Sequence, residues 1–352
     1  MSFPRLLGAP LRRLSLAAVV AALVALALPA LGQAHSSSRV IAVDYEARLA
    51  RAVIADGVEA RVIDGNRKLE LKVRAPHTAL VLGYGGEPFL RFAPSGVWVN
   101  ERSLTAVTNR LTREGSTPAL DKTAPPRWRA LSRSNRFAWH DHRLALVPGS
   151  MARTGRVGTW SIPVTIDGQP LRIEGGLWHH TGPPLWPWPI LLVAATCTGV
   201  FLAVRGAART RRAAAYTCVA VAGAAYLLAT SGFTLAHSSS GTWVSVSLPL
   251  VIAVIAVAVF VLRPELRYAV AGGVGLLVLA ESVGQLSVFR HGYVISALPA
   301  PVARAAVAVA VLGAQVASII AVTRLFGDRP RRVAPRSVKP APGLAIPKGR
   351  RR

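Results

Sequence analysis

Cysteine and methionine are nearly absent, with two of each in 352 residues. Two cysteines exclude a disulfide framework and a Cys-based zinc module. Charged residues make up 16 % of the chain, where a soluble domain carries about 25 %. That shortage, with 52 % apolar residues and a mean hydropathy of +0.40, excludes an ordinary cytosolic enzyme. Catalytic signatures are missing too: no G-x-S-x-G elbow, P-loop, H-E-x-x-H or C-x-x-C occurs. The chain therefore reads as a non-enzyme. Acidic residues are scarce, 16 against 42 Lys and Arg. The excess is spread unevenly. Residues 35–185 carry only +8, while Arg324–Arg352 holds ten basic residues and one acid, Asp328. A nucleic-acid-binding stripe would follow one element. This pattern instead orients a membrane protein.

Residues 1–34 read as a signal peptide. Arg5, Arg12 and Arg13 precede the apolar run Leu14–Leu28, and Gly32-Gln33-Ala34 supplies small residues for cleavage after Ala34. Cleavage there leaves His35 first, where an α-amine and an imidazole together suit Cu(II).

Residues 35–185 read as an all-β, sandwich-like exported domain. Val58–Ile63, Asp64-Gly65 and Leu69–Val73 form one hairpin pattern; Thr159–Ile166, Asp167-Gly168 and Leu171–Glu174 form another. Pro163 marks its strand as an edge or a bulge. Further strands are expected at Thr78–Leu82, Phe89–Phe92, Gly96–Val99, Phe137–Trp139 and Arg143–Val147. The polar segment Thr105–Arg127, with three prolines, reads as a long loop holding at most a short helix.

Residues 186–326 read as an α-helical membrane bundle of five spans: Ile190–Val204, Ala213–Phe233, Val244–Leu262, Tyr268–Phe289 and Ala305–Val322. Arg205–Arg212 holds four arginines and Arg263–Arg267 two, while the alternate loops hold only Arg290 and Arg304. The positive-inside rule puts the basic, Pro-rich tail 327–352 in the cytoplasm and the β-domain outside a plasma membrane. The tail reads as a topology determinant able to lie on anionic membrane lipid. Cys197 and Cys218 read as packing residues.

The most specific cluster is Trp139-His140-Asp141-His142-Arg143. On a strand, His140 and His142 share one face and Asp141 takes the other. Two imidazoles so spaced can share copper or zinc, with His35 or His179 and His180 completing the site. Inside the fourth span lies Glu281, with Gln285 one turn away and Gln315 at similar depth on the fifth. An intramembrane carboxyl is functional by default. The alternative is a protonated Glu281 bonded to Gln285 or Gln315 to fix helix packing.

The runs Val81–Arg91 and Gly96–Asn100, together with Trp139-His140-Asp141-His142, resemble a family of uncharacterised exported membrane proteins of high-GC Gram-positive bacteria. The resemblance implies an extracytoplasmic β-domain on a membrane bundle. The Trp160–Ile173 hairpin and His35 are similar in style to CopC-type copper carriers, although Ser36-Ser37-Ser38-Arg39 replaces their usual opening run. Three functions follow: a metal-binding or metal-sensing protein, with copper the metal which that likeness implies; a scaffold docking a cell-envelope protein; and a small transporter centred on Glu281.

Overall fold

The computed structural model describes residues 40–114, 117–119, 121, 123–145, 153–237 and 242–327. The signal segment 1–34, His35 and the tail from 328 lie outside the described residues. In chain order the strands are β1 (Ala42–Val43), β2 (Tyr45–Leu49), β3 (Val53–Ala55), β4 (Val58–Ile63), β5 (Lys68–Val73), β6 (Ala79–Leu82), β7 (Pro88–Ala93) and β8 (Gly96–Asn100). A short helix α1 (Leu104–Thr108) and β9 (Trp128–Ser132), β10 (Arg136–His140), β11 (Gly155–Ile166) and β12 (Gln169–His179) complete the β-region. Then come α2 (Pro187–Arg205), α3 (Ala208–Ala236), α4 (Thr242–Ala258), α5 (Pro264–Ser282), a 3-10 segment Val283–Phe289, β13 (Tyr293–Val294) and α6 (Ala300–Gly327).

Two antiparallel sheets enclose one core. A seven-stranded sheet runs β2-β12-β11-β6-β7-β8-β9, and a four-stranded sheet runs β10-β5-β4-β3. Alternating apolar residues meet between them: Leu69, Leu71 and Trp139 from one sheet, Phe89, Phe92, Ile162 and Ile173 from the other. The β11–β12 hairpin closes through Asp167-Gly168 alone, with φ of 48° and 82°, as a two-residue turn of matching twist requires. At Asp64-Gly65 both φ are again positive, but the loop runs to Arg67 before Lys68 pairs with Ile63. Pro163 sits where its strand is locally an edge. Val164–Ile166 pair with β6, but at Pro163 only β12 remains alongside.

One expected strand is corrected. Arg143–Val147 does not continue β10, because Asp141 caps a 3-10 turn at His142–Leu144 instead; Leu146 and Val147 lie outside the described residues. The strands β1, β2, β3, β9 and β13 are additions to the sequence reading.

The turn Gly83–Glu87 is fixed by a buried carboxylate. Glu87 accepts from Ser103 Oγ (2.8 Å), Thr105 N (3.0 Å), Thr105 Oγ1 (2.8 Å) and Gly85 N (3.0 Å). Burial alone raises its pKa; these hydrogen bonds outweigh burial and lower it. A Cβ at Gly83 would collide with Glu87 Oε1, so only glycine lets the carboxylate reach α1.

Four helical segments are long and apolar enough to cross a membrane: Pro187–Arg205, Ala208–Ala236, Leu266–Phe289 and Ala300–Phe326. The expected fifth span differs. Helix α4 has 17 residues, rising about 26 Å against a hydrocarbon core of about 30 Å. Helix α6 packs against α2, α3 and α5, and α4 packs against α3. Small residues allow the close crossings: a Cβ at Gly223 would lie 2.8 Å from Ala256, and one at Gly275 would collide with Ser318 Oγ.

Replacing Glu87 by Ala strands four donors. Chemical unfolding of the full chain, followed by tryptophan fluorescence, is expected to show a loss of about 2–3 kcal/mol. Because the pKa is lowered, this stabilisation is present above the ordinary carboxylate range. It disappears as pH falls through the folded-state value. An Ala variant as stable as the parent at pH 7 would contradict the assignment.

Candidate functional site

The Trp139–Arg143 run is built around Asp141, not around its histidines. Strand β10 ends at His140, opposite Lys68, and Asp141 N donates to Arg67 O at 3.1 Å. The Asp141 carboxylate is turned inward and is 1 % exposed. It accepts from Trp139 Nε1 (2.9 Å), from Arg143 N (3.0 Å) and from Arg143 Nε and Nη2 (2.9 and 2.7 Å). Arg143 also donates to Leu82 O at 3.1 Å and lies over the Tyr84 ring. The Tyr84 hydroxyl accepts from His142 N at 3.1 Å.

That inward turn leaves His140 and His142 together on the surface. Their ring centroids are 4.7 Å apart, edge to face. Partial burial lowers the His140 pKa, and the neighbouring His142 and Arg67 lower it further. A neutral imidazole is the form that ligates metal. Among the described residues no group of three His, Cys, Asp or Glu side chains is placed to hold a metal ion.

His179 and His180 have other surroundings. The His179 ring packs on Tyr45 at 5.0 Å, and its Nδ1 is buried without a partner. His180 Nε2 meets Glu46 at 2.8 Å, and its ring faces Tyr293. His180 belongs to the junction between the β-domain and the helices. There β1 pairs with β13, Ala42 opposite Val294 and Val43 opposite Tyr293. Ile41 and Ala42 pack among Phe233, Phe289, Ala303 and Val307 at the end of the bundle. Asp44 accepts from His291 Nδ1 (3.0 Å) and Gly292 N (3.1 Å). Arg304 donates to Val288, His291 and Gly292 carbonyls, each at 2.9 Å.

His237, which caps α3, is the third histidine here. Its Nδ1 faces Phe233 O at 2.6 Å; its Nε2 faces Val40 O at 2.9 Å and Asp64 Oδ1 at 3.3 Å. Carbonyl oxygens only accept, so both contacts are hydrogen bonds only while both ring nitrogens carry protons, and these surroundings favour the cationic ring. The Asp64 contact raises its pKa against the pull of burial, and the two carbonyls add to the rise. Burial would raise the Asp64 pKa; hydrogen bonds from His237 and Lys68 overcome it and bring it to about 2.

The intramembrane polar residues pair differently from expectation. Glu281 accepts from the Tyr226 hydroxyl at 3.4 Å, not from Gln285 or Gln315. Gln285 donates to Thr230 Oγ1 at 2.9 Å, and Gln315 donates to Thr196 Oγ1 at 2.6 Å. Tyr226 and Thr230 are one turn apart, and Gln285 follows Glu281 by four residues, so α3 shares a two-rung ladder with α5 and the 3-10 segment after it. Cys197 is exposed and Cys218 partly buried, and both are free.

A groove of about 490 Å³ lies on the seven-stranded sheet. Sequence reasoning missed it. Trp178 stands between Arg48 and Arg156, whose guanidinium carbons lie 4.7 and 5.7 Å from its ring. Gly175 and Gly176 keep the floor open: a Cβ at Gly176 would lie 2.5 Å from the Trp178 ring, and one at Gly175 would collide with the Trp160 ring. Beyond, Arg91 lies over Trp98 and Trp128 at 4.9 and 5.1 Å. The signal was the Gly-Gly pair inside a strand pattern, which marks close approach.

Neither the family models, nor the curated proteins, nor the solved structures match this chain. The reading therefore rests on geometry.

The junction has a defined pH response. His237 contributes fully below the ordinary imidazole range and loses its contribution as pH rises through its raised pKa. Asp64 contributes above the ordinary carboxylate range and loses it as pH falls toward about 2. Protection of the Ile295 amide, which donates to Ile41 O at 2.8 Å, is expected to decline from pH 6 to pH 9 after correction for intrinsic exchange. His237→Gln is expected to abolish that decline. Flat protection in the parent would sink the assignment.

Proposed function

We propose that this chain is a non-catalytic, multi-pass plasma-membrane protein whose exported β-sandwich is a rigid docking module for an acidic segment of a cell-envelope protein. The observation that carries this reading is the Arg48–Trp178–Arg156 stack in an open groove. Arg48 is already paired with Glu46 at 2.7 Å, so the tryptophan offers an apolar platform and Arg156 the bidentate donor for a carboxylate. The junction supports the same reading, because it holds the domain in one position on the bundle.

Five crossings fit the course of the chain. Helix α3 ends beside the β-domain, where His237 meets Asp64, while α5 starts at the opposite end. Residues 242–262 therefore cover the depth of the bundle, although α4 alone is short. With the arginine-rich ends inside, the β-domain lies outside, behind a cleaved signal peptide. The transporter reading is weaker, since Glu281, Gln285 and Gln315 each have a partner on a neighbouring helix.

The full chain carrying a photo-crosslinking residue at Ser161 is expected to give a discrete adduct in native membranes. The same label at Val53, exposed on the four-stranded sheet, is expected to give none. Trp178→Ala and Arg156→Glu are each expected to cut the yield at least tenfold. An adduct that survives both substitutions, or that forms equally from Val53, defeats the proposal.

A second reading is favoured by one observation, the 4.7 Å His140–His142 pair. It assigns copper, or zinc, to these two rings with a ligand such as His35 from outside the described residues. Titration of the full chain with Cu(II), Cu(I) and Zn(II) tests it. Tight binding should be lost on replacing both histidines by Ala; binding unchanged in that variant, or absent throughout, rejects it.

A further inference from the structure

We propose that the end of the bundle remote from the β-domain holds a binding site for a phosphate-bearing anion. A pocket of about 330 Å³ opens there, lined by Arg211, Arg212, Arg267, Arg324, Tyr216 and Tyr268. The arginines come from three helices: two from the start of α3, one from the start of α5 and one from the end of α6. No described carboxylate lines the pocket.

Positive loop charges alone orient a membrane protein, and such charges are normally solvated. Arg211 departs from that pattern. It is only 7 % exposed, and its Nε is buried with no hydrogen-bond partner. A buried guanidinium charge without a counter-charge is costly, and an anion in the pocket that Arg211 lines would offset that charge. Three of the arginines are held by carbonyls. Arg211 Nη1 donates to Gly206 O (3.1 Å), Arg212 Nε to Ala208 O (3.1 Å) and Arg267 Nε to Leu262 O (2.8 Å). Carbonyls fix the direction of these side chains and neutralise none of their charge.

The walls suit the same ligand. Tyr216 and Tyr268 rings stand 5.6 Å apart, and Arg267 lies 6.0 Å from the Tyr216 ring. Tyrosines at a helix end occupy the headgroup level of a membrane. Guanidinium groups converging from separate helices bind a tetrahedral phosphate through forked donor pairs. The shared chemistry is a phosphate group, carried by an anionic lipid headgroup or by a free anion.

Native mass spectrometry of the full chain in detergent tests this. The probes are phosphatidylglycerol, phosphatidylcholine and inorganic phosphate. Phosphatidylglycerol adducts are expected to exceed phosphatidylcholine adducts at least fivefold. The ratio is expected to fall to parity in Arg211→Gln and in Arg267→Gln, the latter less buried and so safer for folding. Arg209→Gln, exposed and outside the pocket, should leave it unchanged. Phosphatidylglycerol retained against millimolar phosphate identifies a lipid headgroup. Displacement by phosphate, with Arg267-dependent phosphate binding of its own, identifies a free anion. Equal adducts of the two lipids without phosphate binding, or a preference that survives both substitutions, overturns the proposal, since the basic tail is identical in every variant.

Discussion

A carboxylate buried at a domain boundary has to be matched by positive charge or by donors, and the junction between the β-domain and the helices is organised around that requirement. Asp64 sits on the turn that meets the end of α3. It is neutralised by Lys68 from its own hairpin and by His237 from the helix cap. The cationic form of His237 is favoured in turn by Asp64 and by the Phe233 and Val40 carbonyls, which accept hydrogen bonds from its ring. Asp44 and Glu46 lie within hydrogen-bond distance of His291 and His180 in the same region. Three of the histidines therefore serve attachment. Each pairs a residue of the β-domain or its exit with a charge that water would otherwise solvate.

The same constraint explains why the conspicuous sequence motifs are mostly scaffolding. Glu87 in the Gly83–Pro88 run and Asp141 in the Trp139–Arg143 run are buried acceptors. One is satisfied by hydroxyl and amide donors, the other by an arginine fork and an indole. Once Asp141 turns inward, the chain must leave β10, and the histidines on either side are carried outward as a by-product. Their proximity follows from that capping turn rather than from a continued strand. The Trp178 groove arises in another way, from absent side chains at Gly175 and Gly176.

These differences mark what could be read from residues alone. Alternation and Asp-Gly turns located the hairpins, because period-two burial and positive φ are local properties. The apolar runs located the helices for the same reason. Local pattern failed where contacts are long-range. The two-residue strand β1 exists only because β13, about 250 residues later, lies beside it. The partners of Glu281, Gln285 and Gln315 depend on which helices touch, and that is set by small residues such as Gly275 and Gly313. Histidine spacing put His140 and His142 together for the wrong reason, and it carried no information that His180 is engaged by Glu46. The groove needs two arginines from strands β2 and β11 on either side of Trp178, a coincidence that pairing register alone creates.

The polar ladder inside the bundle gives the junction its mechanical sense. Helix α3 ends in His237, and the segment after α5 carries His291 and β13. Tyr226–Glu281 and Thr230–Gln285 tie α3 to α5 and its 3-10 extension about three and two turns below that end. A hydrogen bond in an apolar surrounding has no water to replace it, so sliding α3 past α5 breaks both rungs without compensation. The two anchor points of the β-domain are thereby held at a fixed spacing. A domain fixed at several points to a braced helix pair cannot tilt without straining the helices. The bundle is thus built to keep its two ends in register, with the Asp64 carboxylate matched inside the protein by Lys68 and His237 at one of them.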